Sequence, residues 1–286
     1  MNNLLAVLNS DKKIFEEALP SFIGSEYDEL APIFDAMNYS LGSGGKRIRP
    51  VLTMEFCRFF GGDVNDSLSL AAALEMVHTY SLIHDDLPCM DNSDFRRGRQ
   101  TNHRIYGEAN ALLAGDGLLT HAFGTVASSE WLAEAVVIEA IALLSKMAGP
   151  NGMVGGQFLD LLGEETPLTE GQHLLMNSLK TGCLIRTACL FGVLAAGYDS
   201  SSEEYEAADR YGSAVGLAYQ IRDDILDSKE GEDEGKITFL SFMTEEEANE
   251  KILSLTSEAK EALSAFSDAD PSFLDGLADY LAGRNT

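Results

Sequence analysis

The chain has 286 residues, 45% of them apolar and spread along its length, which excludes global disorder and supplies material for a sizeable core. No Pro/Gly/Ser-rich linker divides it, so residues 1–286 read as one domain. Forty-six acidic against twenty basic residues set the formal charge at −26, which repels nucleic acid and anionic membrane surfaces and leaves only small phosphorylated ligands, where cations are concentrated.

The first ten residues lack the basic region and cleavage site of a secretory signal, and Cys57, Cys89, Cys183 and Cys189 show no CxxC spacing. Both features lead us to expect a cytoplasmic, reduced protein whose cysteines pack. The first concentration of positive charge is Gly44-Gly45-Lys46-Arg47-Ile48-Arg49-Pro50, where Pro50 suits the N1 position of a helix and backbone N–H groups would also face an anion. After the turn Gly61-Gly62-Asp63, residues 68–83 repeat apolar side chains at three- and four-residue spacing and predict a helix. It runs into His84-Asp85-Asp86-Leu87-Pro88-Cys89-Met90-Asp91, and Arg96-Arg97-Gly98-Arg99 follows shortly after. Residues 109–127 and 133–147 predict further helices, with turns at 149–152 and 163–167. The apolar stretch 183–198 is interrupted by Arg186 and too short to span a bilayer, so a buried helix is expected and stable membrane insertion is not. Residues 203–226 predict a long helix that ends at Asp223-Asp224-Ile225-Leu226-Asp227, and 228–235 a solvated loop. Thr244 followed by Glu247 has the form of a capping box and opens a last long helix to 266. The sum is an all-α domain of about ten or more helices.

Two aspartate clusters and two basic clusters carry the chemistry. Asp223 and Asp227 are four apart, so a regular helix sets both carboxylates on one face, with Gln220 one turn earlier on the same side. Asp85 and Asp91 are six apart, about 240° around a helix, and could converge only if Pro88 breaks the helix and lets the chain bulge back. Oxygen donors without His or Cys at ligand spacing suit a hard ion such as Mg²⁺, completed by phosphate oxygens. A single acidic string is more often a solvated helix end; two of them, each beside an apolar helix, favour a metal site. The basic clusters hold Lys46, Arg47, Arg49, Arg96, Arg97 and Arg99, six of twenty positive charges, and a diphosphate is the natural counter-anion. Arg99 is expected instead to pair with the surplus of carboxylates. Taken alone, His78, Lys180 and Gln220 read as ordinary helix residues and Tyr80 as a core aromatic.

The chain resembles the trans-isoprenyl diphosphate synthases, in particular bacterial farnesyl and geranylgeranyl diphosphate synthases. The matching strings are GGKRIRP at 44–50, HTYSLIHDDLPCMDNSDFRRG at 78–98, GEANALLAGD at 107–116, GGQFLDL at 155–161, KTGCLIR at 180–186 and QIRDDILD at 220–227. The resemblance implies an isoprenoid-synthase helical bundle around an apolar cavity, and a homodimer. It implies a prenyltransferase in which Lys46, Arg49, His78 and Arg97 bind isopentenyl diphosphate, while Arg96, Lys180, Thr181 and Gln220 contact the allylic diphosphate. Asp85, Asp86, Asp91, Asp223 and Asp227 would hold three Mg²⁺ ions. Tyr80 and Ser81 would set chain length: an aromatic side chain five residues before Asp85 implies a C15 product, with a C20 synthase as the alternative. A non-catalytic partner subunit is disfavoured because both aspartate clusters are intact, and a terpene cyclase because it has no need of the GGKRIRP and RRG clusters. The lysine that the family usually carries in the loop after the second cluster is either replaced here by Lys229 or Lys236 or absent.

Overall fold

The computed structural model of the protein describes residues 2–230 and 237–284. Helices come in the order α1 (Asn2–Ala18), α2 (Ala31–Leu41), α3 (Ile48–Phe59), α4 (Val64–Asp85), α5 (Asn102–Tyr106), α6 (Glu108–Ala127), α7 (Glu134–Ala148), α8 (Met153–Glu165) and α9 (Glu170–Asn177), then α10 (Cys183–Ala195), α11 (Glu203–Glu230), α12 (Glu245–Leu263) and α13 (Ser272–Gly283). A two-residue hairpin, β1 (Phe95–Arg96) with β2 (Arg99–Gln100), is the one sheet among the described residues. The expected all-α class is what the chain adopts.

α4 is buried along most of its length, from Ser67 to Ile83, and α10 is buried at every position but Arg186. Helices apolar on all sides belong at the centre of a bundle. α4 packs on α3, α6 and α10, and α10 packs on α3 and α11. Gly192 lets α10 and α3 approach closely, since a Cβ there would stand 2.5 Å from the Phe56 Cβ. One hydrophobic cluster runs from Phe15 of α1 to Leu281 of α13, and the Tyr211 hydroxyl donates to the Leu274 carbonyl at 2.6 Å to tie α11 to α13. The run 170–195 is long and apolar enough to cross a bilayer by length and composition, but 67% of its apolar window is buried in the bundle.

Local signals set several helix ends. Asp63 caps α4 by accepting from the Asn65 amide, and Thr169 and Thr244 form capping boxes with Gln172 and Glu247. Three expectations are corrected. Pro50 is the third residue of α3, not the first; its missing N–H still falls among the amides a helix start leaves without a partner. α12 ends at Leu263, three residues early. Residues 228–230, expected in a solvated loop, instead continue α11 to Glu230; the remainder of that expectation falls in residues 231–236, which lie outside the described residues.

Candidate active site

α4 ends at Asp85, and Pro88 follows in a tight turn. The chain bends back as expected: the Asp91 amide donates to the Asp85 carbonyl at 2.8 Å, and Asn92, with φ 50°, closes the turn onto Leu87 at 3.1 Å. The Asp85 carboxyl is pushed up to about 6, by burial first, with Asp91 and Asp86 adding like charge and Lys180 and Arg96 opposing. Asp86 behaves differently. It is buried and gripped by Arg96, whose Nε lies 2.8 and 3.0 Å from its two oxygens and whose Nη2 lies 2.8 Å from Oδ1. Asp86 is thus paired with Arg96, and Asp85 stands in the like charge of both Asp91 and Asp86.

In the second cluster Asp223 and Asp227 lie on the last turns of α11, and Asp224 is buried on another side, accepting from the Phe239 amide at 2.7 Å. The Gln220 amide also donates to Asp224, at 3.2 Å. Asp223 is ion-paired with Arg284, whose guanidinium lies 4.0 Å over the Tyr219 ring. Sequence reasoning missed Arg284, since no local spacing links it to α11. Lys229 bonds Glu245 of α12 at 2.6 Å, and Lys236 lies outside the described residues.

The two basic clusters meet in space. Arg97 donates to the Gly44 carbonyl at 2.6 Å, and a Cβ on Gly45, whose φ of 120° already favours glycine, would fall 2.7 Å from that guanidinium. Arg49 presents a buried Nε with no partner. Such an orphan donor is costly unless an anion arrives. His78 is held well below its ordinary pKa, by burial first and then by Arg49, Arg97, Arg47 and Arg96, so its imidazole is neutral at pH 7. Lys46 is lowered by desolvation and by Arg284. Arg47 departs from the expected anion pocket: it is buried against Glu75 at 2.6 Å, Glu16 at 3.3 Å and the Leu41 carbonyl at 2.7 Å, a structural ion pair. Arg99, expected to meet carboxylates, stacks 4.2 Å over Tyr39.

Lys180 and Thr181 sit on a π-helical turn (Ser178–Gly182), an irregularity frequent at functional sites. Gly156 of α8 makes room for it, since a Cβ would lie 2.2 Å from the Lys180 amide nitrogen. Lys180 bonds Asp160 at 2.5 Å and acts on Asp85 electrostatically. Asp160 is a second residue that sequence reasoning did not single out. One turn below Asp85, Tyr80 is buried and its hydroxyl is pushed up to about 12 by burial and then by Asp85; the Ser81 hydroxyl donates to the His78 carbonyl at 2.9 Å. A cavity of about 1310 Å³ between α1, α3 and α13 borders these groups only at Arg284.

Among the described residues no three His, Cys, Asp or Glu groups converge to hold a metal by themselves. The donors are carboxylates, and the buried Asp85 sits against the like charge of Asp91. That set fits a hard divalent cation whose remaining ligands are phosphate oxygens. Carboxylates for a cation near an arginine whose buried Nε awaits a partner suit the ionisation of a diphosphate ester.

Comparison with known proteins agrees with this reading. Residues 31–260 match the polyprenyl synthetase family model. The chain is 40% identical to a farnesyl diphosphate synthase of Geobacillus stearothermophilus, covering 97% of each. It is also 40% identical to a geranylgeranyl diphosphate synthase of Cyanophora paradoxa, covering 99% of this chain and 97% of that one. An FPP/GFPP synthase structure from Zymomonas mobilis superposes with a TM-score of 0.90 at 32% identity, covering 98% of this chain and 99% of that one. Helical bundle, aspartate clusters and extended identity thus lead to one conclusion: the chain belongs to the polyprenyl synthetase family and is a trans-prenyl diphosphate synthase.

Proposed function

We propose that the protein is a farnesyl diphosphate synthase, in which one catalytic domain of residues 1–286 joins isopentenyl diphosphate head-to-tail to dimethylallyl or geranyl diphosphate and stops at C15. The single observation that carries a two-substrate reading is the orphaned Nε of Arg49 beside Arg97 and neutral His78, a second anion pocket apart from Lys180. Isopentenyl diphosphate would lie against Lys46, Arg49, His78 and Arg97, and the allylic diphosphate against Arg96, Lys180, Thr181 and Gln220. Asp85, Asp91, Asp223 and Asp227 would hold up to three Mg²⁺ ions, with Asp86 acting through Arg96. Bound Mg²⁺ supplies Lewis-acid neutralisation of the leaving diphosphate.

Lys180 and Arg96 add fixed positive charge at the same group, lowering the barrier to C–O cleavage as an allylic cation forms. The Arg49 pocket holds the isopentenyl double bond close enough to attack that cation. The buried apolar helices around it exclude the water that would quench it. Proton loss to the released diphosphate then restores an allylic double bond. Tyr80, bulky and buried one turn below Asp85, supports a floor that stops growth at C15.

The competing C20 reading is favoured by the names of relatives such as the Cyanophora paradoxa synthase. Chromatography of products made from labelled isopentenyl diphosphate separates the two. Mainly C15 from the wild type and longer chains from Tyr80→Ala are expected; mainly C20 from the wild type overturns the C15 reading. A chelator should abolish turnover and added Mg²⁺ restore it. The exposed apolar side chains Leu112, Leu113, Ile138 and Phe158, on the adjacent helices α6, α7 and α8, support a homodimer. The four free cysteines support a reducing cytoplasm.

A further inference from the structure

α4 and α6 lie side by side, and near the aspartates the imidazole of His84 reaches from one to the other. His84 stands in the last turn of α4, immediately before Asp85, and its Nε2 is 3.0 Å from the Leu112 carbonyl oxygen of α6. A carbonyl only accepts, so Nε2 carries the proton. The Asp116 carboxylate lies 3.9 Å from the same nitrogen. The ring reaches this place because residue 115 is glycine: a Cβ there would stand 2.1 Å from Nε2 and 2.4 Å from Cδ2. Glycine within a helix costs about 0.5–1 kcal/mol relative to alanine. Here the missing side chain is a notch that one imidazole fills.

The imidazole also meets Tyr80, one helical turn earlier on the same face of α4. The two rings stand edge to face, 5.7 Å between centroids and 76° between planes. His84 is thus hydrogen-bonded to α6 while its ring stands against Tyr80. A ring pinned in that way limits the rotation of its neighbour, because the space into which Tyr80 could swing is already filled.

We propose that His84 is a positioning residue for product length: its hydrogen bond into the Gly115 notch braces the Tyr80 ring across the path of the growing chain. The proposal rests on the floor role given to Tyr80 above. It adds that Tyr80 is sufficient only while His84 is seated.

The test measures the C20 to C15 product ratio, from geranyl diphosphate and excess labelled isopentenyl diphosphate, for the wild type and His84→Ala, His84→Gln, Gly115→Ala, Tyr80→Ala and the double variant Tyr80→Ala/His84→Ala. Thermal unfolding checks that each is folded. His84→Ala should raise the ratio by about tenfold or more, and Gly115→Ala, which keeps the imidazole but unseats it, should do the same. His84→Gln retains an N–H for the Leu112 carbonyl and should stay within about threefold of wild type. The double variant should make no longer product than Tyr80→Ala alone, since both changes act through one ring. If Tyr80→Ala lengthens the product and His84→Ala does not, the brace is refuted and the floor stands. Equal lengthening in His84→Ala and His84→Gln refutes the hydrogen bond as the agent. An unchanged profile in Tyr80→Ala removes the floor, and the brace with it. Should His84→Ala fail to fold, Gly115→Ala and His84→Gln decide the matter between them.

Discussion

Arg47 and Arg49 stand two positions apart in one motif and end in opposite environments. Arg47 caps α3 in a left-handed conformation, φ 51°, with its guanidinium buried against Glu75 and Glu16. Arg49, on the first turn of that helix, keeps an unpartnered donor near His78 and Arg97. Losing Arg49 should therefore act on isopentenyl diphosphate, whereas losing Lys180 should act on the allylic substrate. Each charge-assisted contact is worth about 1.5–3 kcal/mol, which is roughly 10–150-fold in the Michaelis constant of its own substrate. Steady-state kinetics of Arg49→Ala and Lys180→Ala with both substrates varied checks this, and equal effects of both variants on both constants would refute the assignment. His78 offers a stability test. Its folded pKa lies well below 6.5, so as pH falls through 6.5 the unfolded chain binds a proton that the folded chain does not, and the stability present above that pH is lost. The wild type should lose up to about 1.4 kcal/mol per pH unit more than His78→Gln below this point. Urea unfolding at about pH 7.5 and about pH 5.5 measures it; parallel losses in the two proteins would show that His78 is not held neutral.

At the scale of elements, the site depends on where helices stop being regular. α4 ends at the Asp85 turn, and the π-helical turn that carries Lys180 interrupts the run from α9 to α10. Gly156 of α8 lies against that turn, where a methyl group would meet backbone atoms that cannot rotate away. Gly156→Ala should cost about 1–3 kcal/mol of stability and also raise the Michaelis constant for the allylic substrate, because the displaced backbone carries Lys180. Thermal unfolding with kinetics on one preparation tests both halves; an unfolding penalty without a kinetic one would leave the turn purely structural. Thr244→Ala is the control. Loss of its capping box should cost about 1 kcal/mol, far from Lys180 in sequence and without a change in either Michaelis constant.

For the whole molecule, a charge of −26 and several exposed apolar side chains on adjacent helices have to coexist. Ile138 is 70% exposed and Leu113 54%, values more typical of a face that a partner covers. Sedimentation should show a dimer, and Leu113→Glu combined with Ile138→Glu should shift it toward monomer; an unchanged mass in that double variant would move the interface elsewhere. The amino-acid sequence by itself determined the helical class, most helix positions, the Thr244 capping box and the two aspartate clusters, including the return of Asp91 to Asp85 around Pro88. These follow from the 3.6-residue period, from side chains that reach amides two or three residues away and from the geometry of proline, all local properties. Only the tertiary structure decided which charges are free to meet a ligand. Arg47 is paired with Glu75, 28 residues on, Asp86 with Arg96, and Asp223 with Arg284 from the far end of the chain. Motif spacing cannot distinguish an arginine that will be neutralised from one that will wait for an anion, because the difference lies in which carboxylate the packed helices bring within about 3 Å of it.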